Sequence, residues 1–170
     1  MLRVVLSGVE STGKTVLAGR LSGAFRGVIV PEYGRYLTDV VNRELTLADH
    51  HRIAEGHRRL AEEAAAHEPA LLIEDTDIVM TTAWATMLFG GRDPELAETP
   101  SLGDLHLLFL PDTPFIPDRL RMFGDPDARE RFHAIVEAEF AARGIEPVRI
   151  GGSFPEREAQ AFAAIRERLV

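Results

Sequence analysis

The chain has 170 residues, of which 45% are hydrophobic and 27% charged, with a net charge of −8 and no cysteine. That balance suits one folded domain spanning residues 1–170 and is too apolar for disorder, while the acidity speaks against a general nucleic-acid binder. Disulfides, thiolate zinc sites and cysteine nucleophiles are excluded, and no apolar run reaches the roughly 20 residues of a membrane span. The opening apolar run is too short for a signal peptide, so cytoplasmic residence is the expectation.

From the N-terminus, an apolar run at 2–6, interrupted only by Arg3, predicts a buried strand. Gly8-Val9-Glu10-Ser11-Thr12-Gly13-Lys14-Thr15 follows, then an amphipathic helix over 15–25 carrying Val16, Leu17 and Leu21. Those eight residues satisfy G-x-x-x-x-G-K-[ST] at every specified position, in the strand–loop–helix context that gives the pattern its mechanism. Gly8, Glu10, Ser11, Thr12 and Gly13 are the expected phosphate cradle, built from backbone amides and a helix N-terminus. Lys14 is expected to reach the β- and γ-phosphate oxygens and the Thr15 hydroxyl to ligate Mg2+. The competing reading is a Gly-rich turn that binds nothing.

Further apolar runs at 28–30, 70–73, 105–110 and 148–150 predict four more strands, alternating with helices over 47–67, 78–89, 128–143 and 156–169. The βαβα order implies an α/β fold, a parallel sheet with helices on both sides. Ligands in such sheets gather beyond the carboxyl ends of the strands. Two acidic clusters stand there: Pro31-Glu32-Tyr33-Gly34-Arg35 after the second run, and Glu74-Asp75-Thr76-Asp77 after the third.

Asp75 ends an apolar run as a Walker B carboxylate does, and would hold Mg2+ through its water shell. Asp77 has two readings, an acceptor for a sugar diol or a cap for the helix beginning near Ile78. Glu32 can take the proton of an attacking hydroxyl, with Arg35 touching a phosphoryl oxygen or orienting the carboxylate; the alternative is a solvated Glu–Arg pair. Trp84 has the choice of stacking on a substrate ring or belonging to the core, and Tyr33 and Tyr36 have the same standing.

After the fourth strand, Asp118-Arg119-Leu120-Arg121-Met122-Phe123-Gly124 places two arginines between Pro117 and Pro126. In small kinases such a segment closes over the triphosphate, so Arg119 and Arg121 are candidates for contacting the transferring phosphoryl group, against a reading as surface charge. Arg129 and Arg131 sit among acidic neighbours and read as a solvated helix face. His50, His51, His57 and His67 lack the H-x-x-x-H spacing of a zinc pair. Phe154, after the last strand, either packs on an adenine base or belongs to a plain turn.

Together these motifs resemble the ribosylnicotinamide kinase domain of the NadR-like proteins, within the P-loop nucleoside/nucleotide kinases. The carriers are G-x-E-S-x-G-K-[ST] at 8–15, E-Y-G-R at 32–35, D-T-D at 75–77 with Thr81 and Thr82, and D-x-x-R-x-x-G at Asp118, Arg121 and Gly124. The resemblance implies a five-stranded parallel sheet with a lid, ATP and Mg2+ as cosubstrates, and phosphorylation of nicotinamide riboside to nicotinamide mononucleotide by a stand-alone kinase. In the family pattern a glycine usually stands where Arg119 does here. Two rival readings remain: a kinase for another nucleoside or small alcohol, and an ATP-binding regulatory module without catalysis.

Overall fold

The computed structural model describes residues 1–116 and 124–169. Five strands, β1 (Leu2–Gly8), β2 (Val28–Val30), β3 (Leu71–Asp75), β4 (Leu105–Phe109) and β5 (Val148–Ile150), form one sheet in the order β2-β3-β1-β4-β5. Every pairing is parallel. The helices are α1 (Lys14–Phe25), α2 (Tyr33–Val41), α3 (Leu47–Ala65), α4 (Ile78–Phe89), α5 (Pro94–Glu98), α6 (Pro126–Ala142) and α7 (Phe154–Leu169).

Strand side chains alternate between two cores, because successive residues point to opposite faces. Leu71, Ile73, Leu107 and Phe109 pack with Leu17 and Leu21 of α1 and Ile165 of α7. Leu72 meets Ala61 of α3, and Leu108 meets Val79 and Met80 of α4 and Phe132 and Val136 of α6. The three central strands are buried almost throughout because both faces are covered, and Arg3, Glu74, Asp75 and His106 are buried in them beside the apolar residues. The outer strands depart from that expectation: Val28 and Ile29 of β2 are 38% and 36% exposed, and Arg149 of β5 faces solvent. Their position at the two sheet edges is the reason.

Two helices add to those expected from the apolar periodicity, α2 and the single turn of α5. Only Leu37 of α2 is fully buried, so its apolar signal is short. Gly90 closes α4 in the left-handed conformation, with φ 79°.

The N-termini of α1 to α6 divide into two kinds. Helices α3, α4, α5 and α6 each carry a side-chain cap, from Thr46, Asp77, Asp93 and Asp125 respectively. Helices α1 and α2 begin at Gly13 and Glu32 with no side-chain cap. An uncapped N-terminus keeps its first N–H groups available to an outside acceptor, and these two open toward the same place.

Candidate active site

The loop between β1 and α1 turns on backbone that few residues adopt. Gly8 has φ 132°, and a Cβ there would lie 2.5 Å from the Phe109 carbonyl oxygen, so only glycine fits between the strands. Ser11 and Gly13 follow with φ 63° and 86°. Lys14 Nζ donates to the carbonyls of Gly8 at 2.7 Å and Val9 at 2.8 Å, and Thr12 Oγ1 donates to Val9 at 2.9 Å. Ser11 Oγ donates to the carbonyl of Ile116 and accepts from its N–H, both at 3.1 Å.

At the end of β3, Asp75 Oδ2 accepts from Thr15 Oγ1 at 2.7 Å. The other carboxylate oxygen, Oδ1, is buried without a hydrogen-bond partner. A hydroxyl, a buried carboxylate and an orphaned oxygen at a phosphate-binding loop form a donor set suited to a hard divalent cation that keeps waters and phosphate oxygens as its remaining ligands. Among the described residues, no three His, Asp or Glu side chains form a cage of their own.

Thr76 has φ 75°, unusual for a β-branched residue. This turn sends its two acidic neighbours in different directions. Asp75 stays with Thr15, whereas Asp77 is buried, accepts from Val79 N at 3.0 Å as the cap of α4, and accepts from the Ser101 hydroxyl. Asp77 lines neither of the two cavities at the strand ends, so its position matches the capping reading and departs from that of a sugar-diol acceptor.

The smaller cavity, about 110 Å³, is walled by the phosphate loop from Gly8 to Val16 except Val9. The larger, about 450 Å³, lies between α2, α3 and α4. Glu10, Glu32, Arg35, Thr76, Met80 and Trp84 line both, so they mark where the two spaces meet. Arg35 Nε lies 3.9 Å from Glu32 Oε2. Burial raises the Glu32 pKa from its ordinary value, and the nearby Asp75 charge adds to the rise; Lys14 and Arg35 oppose it.

Trp84 has the packing of a core residue and a place in the cavity walls as well. One side packs on Phe132, with ring centroids 4.4 Å apart, and the residue also lines both cavities. Tyr33 instead rests against Gly56 of α3 and Tyr36, and lines neither cavity. Phe154 lies against Gly13, with the Arg20 guanidinium 5.1 Å from its ring centroid, beside the phosphate loop but outside both cavities. Arg119 and Arg121 lie outside the described residues.

Arg129 corrects its sequence reading. It is buried, not solvated: its guanidinium stands 5.7 Å from the Phe115 ring centroid and donates to the Thr113 carbonyl at 3.2 Å. Thr113 in turn donates to the Ser11 carbonyl at 2.9 Å, which ties α6 to the phosphate loop. Sequence reasoning also passed over His50 as anything but a metal ligand, although it lines the larger cavity. The signal was present in Thr46, one helical turn earlier, whose carbonyl bonds the imidazole.

A family model described as an AAA domain matches residues 3–157. The chain belongs to this AAA-domain family. The AAA domain here is 29% identical over 153 residues to the trifunctional NAD biosynthesis/regulator protein NadR of Escherichia coli (strain K12), covering 86% of this chain and 37% of NadR. A crystal structure of a NadR protein in complex with NR superposes with a TM-score of 0.80 at 27% identity, over 98% of this chain and 51% of that one. The chain thus spans about half or less of the NadR proteins it matches. Thymidylate kinase from Candida albicans shares the fold, with a TM-score of 0.66 at 15% identity over 98% of this chain and 92% of that one. The AAA domain is homologous to NadR and has the five-stranded architecture of the P-loop kinases.

Proposed function

We propose that this AAA domain is an ATP- and magnesium-dependent kinase that phosphorylates the 5′-hydroxyl of nicotinamide riboside to nicotinamide mononucleotide. The observation that carries the reading is Glu32 at the junction of a phosphate-loop cavity and a 450 Å³ pocket, the size of a small-molecule site (roughly 300–1,000 Å³). The NadR likeness, with NR bound in the solved relative, supports the choice of acceptor.

The amides of residues 8–15 and the uncapped start of α1 hold the nucleotide phosphates, and Lys14 neutralises the β- and γ-oxygens. Phe154 flanks the nucleotide base beyond Gly13. Thr15 and Asp75 hold the magnesium ion, which supplies charge neutralisation on the phosphates. Glu32 accepts the proton of the 5′-hydroxyl as that oxygen bonds to the γ-phosphorus and the bond to the β–γ bridging oxygen breaks, releasing ADP. Arg35, with Arg119 and Arg121, contacts phosphoryl oxygens.

The acceptor pocket suits a cation. Glu10, Glu32 and Glu44 line it against Arg35 and Arg43, and Arg43 is bound to Asp49 at 2.6 Å. A pyridinium over the exposed side of Trp84 gains about 0.5–2 kcal/mol. A panel of acceptors with ATP tests the reading: nicotinamide riboside is turned over much faster than thymidine or deoxycytidine. A different preferred nucleoside overturns the assigned acceptor, and no acceptor-dependent ADP release overturns the kinase.

A further inference from the structure

The larger cavity has two ends. Residues it shares with the phosphate-loop cavity mark the reacting end; Leu45, His50, Ile53, Leu88 and Phe89 line only the larger space and mark the distal end. Thr38, Arg43, Glu44 and Thr81 also line only the larger space, and His50 stands there against the aliphatic and aromatic walls of Leu45, Ile53, Leu88 and Phe89.

His50 is held in one tautomer. Its Nδ1 lies 2.9 Å from the Thr46 carbonyl oxygen, which can only accept, so Nδ1 carries the proton and Nε2 carries a lone pair. Phe89 meets the imidazole edge-on, with ring centroids 5.5 Å apart, and fixes the ring plane. That bond to Thr46 is the imidazole's one hydrogen bond among the described residues. Burial lowers the pKa of the ring, which favours the neutral form, although the Thr46 bond and Asp49 pull the other way.

We infer that His50 is a specificity-determining residue: its Nε2 accepts a hydrogen bond from the carboxamide N–H of the acceptor's ring, so the site selects a carboxamide over a carboxylate. The inference rests on the proposed acceptor, a pyridine riboside whose 5′-hydroxyl lies at Glu32. Its ring substituent then reaches the distal end. A carboxylate there has no hydrogen to give, sets its lone pairs against that of Nε2, and meets Glu44, while the Arg43 guanidinium on the same wall is already engaged by Asp49. Buried polar groups left unpaired are how sites reject near-isosteres.

The test compares nicotinamide riboside with nicotinic acid riboside in the intact chain. The wild type is expected to favour the amide by about 10-fold or more in kcat/KM. His50→Asn keeps a donor for the Thr46 carbonyl but withdraws the Nε2 acceptor. It should lose about 10-fold in kcat/KM for the amide, mainly through KM, with the acid unchanged or improved. His50→Gln, which can place either an acceptor or a donor near Nε2, should keep the amide and gain the acid. Equal losses on both ribosides in His50→Asn, or no preference in the wild type, overturn the inference while leaving the kinase reading intact. If His50→Asn does not fold, His50→Gln decides: an unchanged preference for the amide over the acid overturns it. Turnover of neither riboside by the wild type removes the proposed acceptor, and the inference with it.

Discussion

Thr15 Oγ1 donates to Asp75 Oδ2 at 2.7 Å, joining the first turn of α1 to the last residue of β3. The contact places a hydroxyl and a buried carboxylate where the phosphate loop ends, while Asp75 Oδ1 stays unpartnered. Asp75→Asn retains an acceptor for Thr15 but removes the charge. The variant should need 10–100 times more magnesium for half-maximal turnover. Calorimetric titration of nucleotide with and without magnesium provides the companion readout: the metal's contribution to binding shrinks, and metal-free binding stays as in the wild type.

Glu32→Gln separates chemistry from binding. Removing a positioned base is expected to lower kcat by about 10²–10⁴. Nucleotide affinity, measured by calorimetry, should be nearly unaffected, because the phosphate loop is untouched. Full turnover in this variant would show that the proton leaves by another route.

The pH profile follows from the same carboxyl group. Burial and Asp75 raise its pKa, and a base works only when deprotonated, so kcat/KM should fall as pH drops through a value above the ordinary carboxylate 4.5. Arg35 is one of the groups that lower it. Arg35→Gln should therefore move the acid limb to higher pH, and a shift in the other direction would contradict the assignment of that limb to Glu32.

Gly56 makes a further prediction about positioning. A Cβ at this residue of α3 would lie 2.3 Å from Tyr33 Cε1, in the first turn of α2 next to Glu32. Gly56→Ala should destabilise the fold by about 1–3 kcal/mol through overpacking, offset by up to about 1 kcal/mol of helix propensity. It should also raise KM for the acceptor. Gly19→Ala, on α1 with nothing within 4 Å, is the control: its melting temperature should rise or hold steady.

The central strands were readable because 2–6, 70–73 and 105–110 are apolar runs interrupted only by Arg3 and His106, and the phosphate loop because its glycines and lysine follow such a run directly. Less legible were features that depend on what packs against a segment. Helix α2 escaped the apolar periodicity since Gly34 weakens its start and only Leu37 is fully buried. Arg129 sits between Asp127 and Glu130 in a stretch that reads as solvated, and only the fold of 113–115 over it makes it an interior residue. Asp75 and Asp77 are chemically alike in the sequence; the positive φ of Thr76 gives one to the loop and the other to a helix cap. His50 needed α3 and α4 assembled before it could be seen as a wall.

Because β1 occupies the middle of the sheet, the molecule is divided along that strand. On one flank hang β2, β3 and helices α2 and α3, which furnish Glu32, Arg35 and His50; α4, with Trp84, packs on Leu108 of β4 and on α6, and the flank of β4, β5 and α7 carries Phe154 beside the loop. Grafting 32–58 from another enzyme of this architecture would thus redirect which alcohol is modified while the grip on the triphosphate persisted, making acceptor choice a replaceable cassette.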